Sequence, residues 1–163
     1  MEELFSDVYN SPVGLLWIKG TFSAIRSISY VNENRGIEIR SNDYLKYCID
    51  QLDEYFYKKR EVFDLVLQPN GSDFQKKVWD QLSKIPFGKT ITYLQQSKQI
   101  GDPKAIRAVA KANSQNKIVI VIPCHRVIGI GGKLIGYGGG LWRKKWLLDH
   151  ENPERNSQIS FDF

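Results

Sequence analysis

Residues 92–112 read TYLQQSKQIGDPKAIRAVAKA. Two short segments with helical patterning, Thr92–Ile100 and Pro103–Ala112, are split by Gly101-Asp102. A three- or four-residue turn containing Gly, with Pro in the first turn of the second helix, is the local chemistry of a helix-turn-helix, although helical hairpins that bind nothing share it. The second segment sets Ala105, Ala108, Ala110 and Ala112 beside Lys104, Arg107 and Lys111. Alanine is the best helix former, which is one sufficient reason for its presence. Small side chains also let a nucleic-acid groove approach the backbone while the cations reach phosphates. Arg107 is the single long basic side chain in the middle of that segment.

Upstream, Ser72-Asp73-Phe74-Gln75 is a Ser-x-x-Gln capping box, and Phe74, Val78 and Leu82 recur at i, i+4, i+8, which predicts a helix ending near Lys84. Downstream, the β-branched run Ile118–Ile122 predicts a strand buried on both faces and stopped by Pro123. Cys124, His125 and Arg126 follow at once, then a glycine-rich loop from Gly129 to Gly140 and an amphipathic helix around Leu141–His150. The polar tail from Asn152 onward is expected to be loosely held.

The first 70 residues are ordinary scaffold. Leu15–Lys19 and Ala24–Val31 read as a strand pair, and Glu61–Leu67 alternates as a further strand with Phe63, Leu65 and Leu67 on one face. Between them, Leu45, Ile49, Leu52 and Phe56 mark a helix over Tyr44–Tyr57, and Cys48 on the same stripe is a core residue. Gln68-Pro69-Asn70-Gly71 breaks the chain, which puts a domain boundary there: residues 1–70 and 71–163. The fold class is two-part α+β.

The chain has 163 residues, 42% hydrophobic and 25% charged, with two cysteines, a composition that excludes collagenous, disordered and disulfide-scaffold classes. No apolar run approaches the roughly 20 residues of a membrane span, and the acidic Met1-Glu2-Glu3 start is unlike a signal peptide, so a cytoplasmic protein without a membrane partner is expected. Charge is unevenly placed. Residues 1–70 hold eight Lys/Arg against eleven Asp/Glu, and residues 71–163 hold fifteen against seven. A basic second half suits a polyanion such as nucleic acid.

A cysteine is a nucleophile only as thiolate, and its pKa must be lowered by a base, a cation or a helix N-terminus. Cys124 follows a buried run and has His125 and Arg126 beside it, whereas a buried, inert cysteine is the plain alternative. Neighbours on an extended chain point in opposite directions, so a Cys124–His125 contact needs a tight turn or a water. Ser83–Thr90 ends like a Walker loop but has Ser for the first Gly, and Gly129–Gly140 has no G-x-G-x-x-G match. Two cysteines and two histidines without C-x-x-C or H-x-x-x-H spacing leave no structural zinc set.

Ile122-Pro123-Cys124-His125-Arg126-Val127, taken with Phe74-Gln75-x-x-Val78-Trp79, Ile85-Pro86-x-Gly88-x-Thr90, Tyr93, Arg107-Ala108-Val109, Gly136-Tyr137 and Leu147-Leu148-x-x-Glu151, resembles the O6-alkylguanine-DNA alkyltransferase family over about residues 72–151. The resemblance implies a ribonuclease-H-like N-terminal domain and a winged-helix-like C-terminal one. It implies a single-use DNA repair protein that moves an alkyl group from guanine O6, less well thymine O4, onto its own cysteine, with no cofactor and no metal. Cys124 is then the acceptor, His125 its base through a water, Glu151 the group that orients His125, and Asn116 the brace of the turn. Tyr93 donates to guanine N3, and Arg107 fills the gap left by the flipped nucleotide. The implied DNA face further includes Ala105, Ala108, Lys104, Lys111, Thr92 and Arg126. The implied base pocket is walled by Val127, Tyr137, Gly138 and Gly139, with main-chain carbonyls of Cys124 and Val127 reading the guanine amino group. The partner is alkylated duplex DNA entered from the minor groove, the protein a monomer, with cooperative loading left open. Ala110, Lys117 and Gly138 depart from the family's usual glycine, proline and serine, the last widening the pocket for bulkier adducts. A non-catalytic lesion sensor, a cysteine hydrolase and a pure helix-turn-helix regulator remain the rivals.

Overall fold

The computed structural model describes residues 2–157. The chain forms two compact units: residues up to Asn70 together with Lys117–Val119, and Gly71–Asn116 together with the stretch from Ile120.

In the first unit β1 (Phe5–Ser11), β2 (Gly14–Gly20) and β3 (Ile25–Val31) form an antiparallel meander in which Phe5 faces Gly20 and Leu15 faces Val31. Helix α1 (Asp43–Phe56) starts at Asn42, whose side chain accepts from the Leu45 N–H, and lays Leu45, Cys48, Leu52 and Tyr55 in the core. Burial pushes the Cys48 thiol up to about 12, which leaves it inert.

Glu61–Leu67 is not a strand. Its single ladder contact is a parallel bridge from Leu67 to Ile25. Apart from the Val66 carbonyl, which accepts from the Ile25 N–H (2.8 Å), the polar groups of its middle are met by side chains of α1: the Asp64 N–H donates to Gln51 Oε1 (2.8 Å), Gln51 Nε2 donates to the Asp64 carbonyl (3.0 Å), and the Val66 N–H donates to Tyr44 Oη (2.8 Å). A segment whose polar groups are met this way has no need of a partner strand.

The expected strand Ile118–Ile122 is also corrected. Only its start pairs, where the Ile28 N–H donates to the Lys117 carbonyl (2.9 Å) and the Val119 N–H to the Ile28 carbonyl (3.1 Å). Ile120 then takes φ +73°, a left-handed conformation that turns the chain out of any ladder. The run is apolar because Ile118, Ile120 and Ile122 are each buried, the first in one unit and the others in the second.

The second unit is mainly helical. The capping box at Ser72 and Gln75 closes reciprocally and opens α2 (Asp73–Leu82), whose buried Trp79 donates its indole N–H to the Ala112 carbonyl (2.9 Å). A second capping box, Thr92 with Gln95, opens α3 (Tyr93–Ile100), and Gly101 ends it at φ +105°, a C-cap conformation that glycine adopts without strain. Helix α4 (Ile106–Ser114) begins later than Pro103. Asp102 holds the intervening turn, its carboxylate accepting from the Lys104 N–H (2.9 Å) and its carbonyl from the Ala105 N–H (3.0 Å), so regular helix starts a turn further on. Helices α3 and α4 are pinned by a buried amide pair: Gln96 Nε2 donates to Asn113 Oδ1 (2.8 Å) and Asn113 Nδ2 to Gln96 Oε1 (2.7 Å).

Strand β4 (Ile91–Thr92) pairs in parallel with β5 (Val127–Ile128), and α5 (Leu141–Glu151) packs Leu148 against Ile128 and Leu134. Contrary to the expected loose tail, Pro153–Ser157 forms a 3₁₀ stretch tied back by Arg155 Nη1 donating to Thr90 Oγ1 (2.9 Å). The remainder of the tail lies outside the described residues.

Candidate active site

Pro123 ends the apolar run, and Cys124–Arg126 form a single 3₁₀ turn. The Cys124 N–H donates to the Ile122 carbonyl (2.8 Å) and the Arg126 N–H to the Pro123 carbonyl (3.0 Å). This is the tight turn that adjacent reactive residues require. Asn116 Nδ2 donates to the Ile122 carbonyl (2.7 Å), which braces the turn from the end of α4.

Beneath the turn lies a buried charge cluster. His125 is fully buried, with Nε2 2.8 Å from Glu151 Oε2, while its Nδ1 is buried with no hydrogen-bond partner among the described residues. Glu151, on the buried stripe of α5, also accepts from Arg126 Nε at Oε1 (2.8 Å) and from Arg126 Nη2 at Oε2 (3.0 Å). Burial would raise this carboxyl, but the charges and hydrogen bonds of His125 and Arg126 outweigh it and hold the carboxyl well below the usual carboxylate range. Glu151 therefore carries a full negative charge beside the imidazole.

Arg126 is corrected as a DNA contact. It is 6% exposed, its guanidinium is paired with Glu151, and its Nη1 donates to the Ile85 carbonyl (2.6 Å), so it is turned inward and too buried to meet a phosphate. Its place is to hold Glu151 against His125.

Cys124 is 8% exposed and lies in a cavity of ≈ 320 Å³ with Tyr93, Asn113, Tyr137, Gly138 and Arg107 among its walls. Burial raises the thiol, while a hydrogen bond from Asn116 and the charge of Lys144 pull it back. The resting thiol thus keeps its proton and needs a base. Val127 is buried in β5 outside that lining, and its N–H donates to the Cys124 carbonyl. Gly139 lies just past the lining and offers its carbonyl to Arg143 Nη1 (2.9 Å). A Cβ at Gly138 would sit 3.3 Å from the Ser114 carbonyl oxygen, so a serine there would crowd the cavity wall.

One residue of the site was missed. Lys144 is fully buried, and its Nζ donates to the Gly136 carbonyl (3.1 Å), the Ile135 carbonyl (3.2 Å) and Tyr93 Oη (3.3 Å). Burial lowers it to about 8, against the pull of Cys124. The signal was present: Lys144, Leu147, Leu148 and Glu151 fall at i, i+3, i+4, i+7, the buried stripe of α5. Tyr93 Oη meanwhile donates to the Ile135 carbonyl (2.6 Å), and burial first, then Cys124, pushes the phenol to about 12.

Arg107, Ala108 and Lys111 lie exposed along α4, with Lys104 exposed and Ala105 half-buried just before it. Among the described residues Arg107 makes no hydrogen bond or ion pair, and it borders the Cys124 cavity. Thr92 caps α3 with its hydroxyl, accepting from the Gln95 N–H (3.1 Å). Among the described residues no helix is long and apolar enough to cross a membrane.

A helix-turn-helix whose second helix borders the cavity of a nearly buried cysteine, with a buried His–Glu pair following that cysteine, defines a helix-turn-helix protein that carries a thiol site. Residues 4–69 match the family described as 6-O-methylguanine DNA methyltransferase, ribonuclease-like domain, and residues 73–153 match the DNA binding domain of the same name. The methylated-DNA–protein-cysteine methyltransferase of Methanosarcina barkeri is 42% identical over 91% of this chain and 97% of its own. The crystal structure of Mycobacterium tuberculosis O6-methylguanine methyltransferase superposes with a TM-score of 0.83 at 39% identity, covering 93% of this chain and 94% of that one. The M. tuberculosis OGT solved in complex with DNA gives 0.82 at 40% identity, covering 90% and 91%. The chain belongs to the 6-O-methylguanine DNA methyltransferase family.

Proposed function

We propose that this protein repairs DNA by transferring the alkyl group of O6-alkylguanine, and less readily O4-alkylthymine, from the duplex to Cys124, once per molecule. The observation that carries this reading is the Cys124 cavity itself: a thiol with an adjoining His125–Glu151 pair, bordered by the exposed Arg107 of α4. A base held in the stack cannot present its O6 substituent in line to a buried thiol, so the nucleotide is rotated out, at a cost on the order of a few kcal/mol that is least for a lesion that pairs poorly. Arg107 fills the vacated space. The helix-turn-helix enters from the minor groove, whose degenerate pattern suits a protein that must ignore sequence. Lys104 and Lys111 meet phosphates, and Ala105 and Ala108 allow close approach.

In the transfer, His125 takes the thiol proton at its free Nδ1 through one water, and Glu151 stabilises the imidazolium that results. The thiolate sulfur forms a bond to the alkyl carbon as the bond from that carbon to O6 breaks, and the electron pair passes into the guanine ring. Tyr93 donates its proton toward guanine N3 by turning its O–H away from the Ile135 carbonyl, and Lys144 supports the phenol oxygen as charge develops there. The carbonyls of Cys124 and Val127 receive the guanine amino group, and Gly138 and Gly139 leave room beside Tyr137. The product thioether has no leaving group for a second exchange, so each molecule reacts once. The protein acts as a cytoplasmic monomer.

Mixing the protein with excess duplex carrying one O6-methylguanine, followed by intact mass and peptide mapping, tests this. One methyl on the Cys124 peptide, absent in Cys124→Ala, is expected. A repeated turnover, or methyl elsewhere, overturns it.

A further inference from the structure

A second depression, of ≈ 410 Å³, adjoins the Cys124 cavity and shares Tyr93, Ile106 and Ile135 with it. Its remaining walls are Leu94, Gly129, Ile130 and Lys133, so apart from one lysine it offers apolar surface. Three isoleucines around it are open to solvent: Ile130 at 74%, Ile135 at 45% and Ile106 at 38%. Scattered exposed aliphatics need no explanation, but several around one depression mark an interaction surface.

The tip that carries Ile130 is held by the backbone. The Gly129 N–H donates to the Lys133 carbonyl (2.7 Å) and the Gly132 N–H to the Gly129 carbonyl (3.2 Å). Gly131 and Gly132 turn the chain at φ +73° and +83°, and a Cβ at Gly129 would strike Ile135 Cδ1 at 2.8 Å. An isoleucine is thus fixed in the solvent on a tight turn, where a polar residue is the ordinary choice.

We propose that Ile106, Ile130 and Ile135 form an apolar wedge that packs against the deoxyribose faces and base edges flanking the extruded nucleotide, and so holds the duplex in its opened state. The occupant follows from three features. The depression shares three wall residues with the cavity that receives the base; Ile106 directly precedes Arg107, which enters the stack; and Lys133, with the exposed Lys104 just before α4, supplies cations for the phosphates on either side. The walls of a minor groove are sugar C–H surface, and apolar side chains pressed there stabilise unstacked steps. This inference rests on the reading that Cys124 receives its alkyl group from a flipped nucleotide.

The test compares single-turnover transfer from an O6-methylguanine duplex with transfer from free O6-benzylguanine, in Ile130→Ser, Arg107→Ala and the unchanged protein, at several salt concentrations. Ile130→Ser is expected to lower the duplex-to-free-base rate ratio about tenfold, the loss expected when one aliphatic side chain gives up a buried contact. The slope of log affinity against log salt stays the same, since an apolar contact releases no counterions, whereas Lys133→Gln reduces it by about one. If Ile130→Ser leaves the ratio unchanged while Arg107→Ala lowers it, the wedge is overturned and the flipping reading stands. If neither variant moves the ratio, the flipping reading itself fails. Sedimentation of the protein alone adds the last arm: a dimer that Ile130→Ser dissociates would assign the depression to a second copy of the chain and overturn the wedge.

Discussion

Glu151 serves two partners at once, the Arg126 guanidinium and the His125 imidazole, and that sharing sets its chemistry. Arg126 neutralises part of its charge through two hydrogen bonds, and His125 takes one more. Glu151→Gln should therefore leave a buried guanidinium uncompensated and cost about 3–5 kcal/mol, read as a lower urea midpoint, with transfer to Cys124 slowed as well. The same pairing makes stability acid-sensitive. The folded carboxyl titrates below its unfolded counterpart, so its contribution is complete above the ordinary carboxylate range, near pH 4.3, and is lost as pH falls through the lower folded value. Melting temperature measured from pH 6 downward should fall in that window in the native protein, and the Gln variant should show less of the decline. Lys144 behaves differently, because burial already works against its charge. Lys144→Met should change stability by no more than about 1 kcal/mol while slowing transfer roughly tenfold or more, since one charge-assisted bond to the Tyr93 oxygen is worth about 1.5–3 kcal/mol. An unchanged single-turnover rate would remove Lys144 from the mechanism.

The helix-turn-helix depends on a contact between elements that no helix pattern announces. Gln96 of α3 and Asn113 of α4 satisfy each other in the buried interface, and Asn113 also lines the Cys124 cavity. Gln96→Leu strands the Asn113 amide and should cost about 1–3 kcal/mol, while the Gln96→Leu/Asn113→Leu pair should recover most of it. A double-mutant cycle from urea melts measures this coupling; additive losses would show that the two amides act independently. Capping fared better, because Ser72 with Gln75 specifies its own hydrogen bonds within four residues. Strand propensity fared worse at Glu61–Leu67, whose alternation was correct as a burial pattern but whose backbone partners lie on Gln51 and Tyr44 of α1.

Across the whole molecule the charge is divided as its labour is. Eleven acids against eight bases in residues 1–70 give way to fifteen bases against seven acids in residues 71–163. If Lys104, Lys111 and Lys133 each meet one phosphate, duplex affinity should fall about fortyfold between 50 and 200 mM salt, measured by fluorescence anisotropy. A flat salt profile would place those lysines off the DNA. What the residues by themselves determined was what is written in local chemistry or in a contiguous motif: the capped helix that opens at Ser72, the turn at Gly101, the core position of Cys48, and the Pro123–Arg126 block that names the family. Spacing along a helix also held the signal for Lys144, though reading it required trusting a cation on an apolar stripe. Tertiary structure alone decided where Arg126 points, since a guanidinium beside a reactive cysteine looks like a DNA contact until Glu151, 25 positions on, is folded against it. It alone decided that Ile118–Ile122 turns at Ile120, and that Ile106, Ile130 and Ile135 surround one depression. Short-range hydrogen bonds and periodicity are properties of neighbours in the chain, whereas the partner of a buried charge and the outline of a surface are set by residues that only folding brings together.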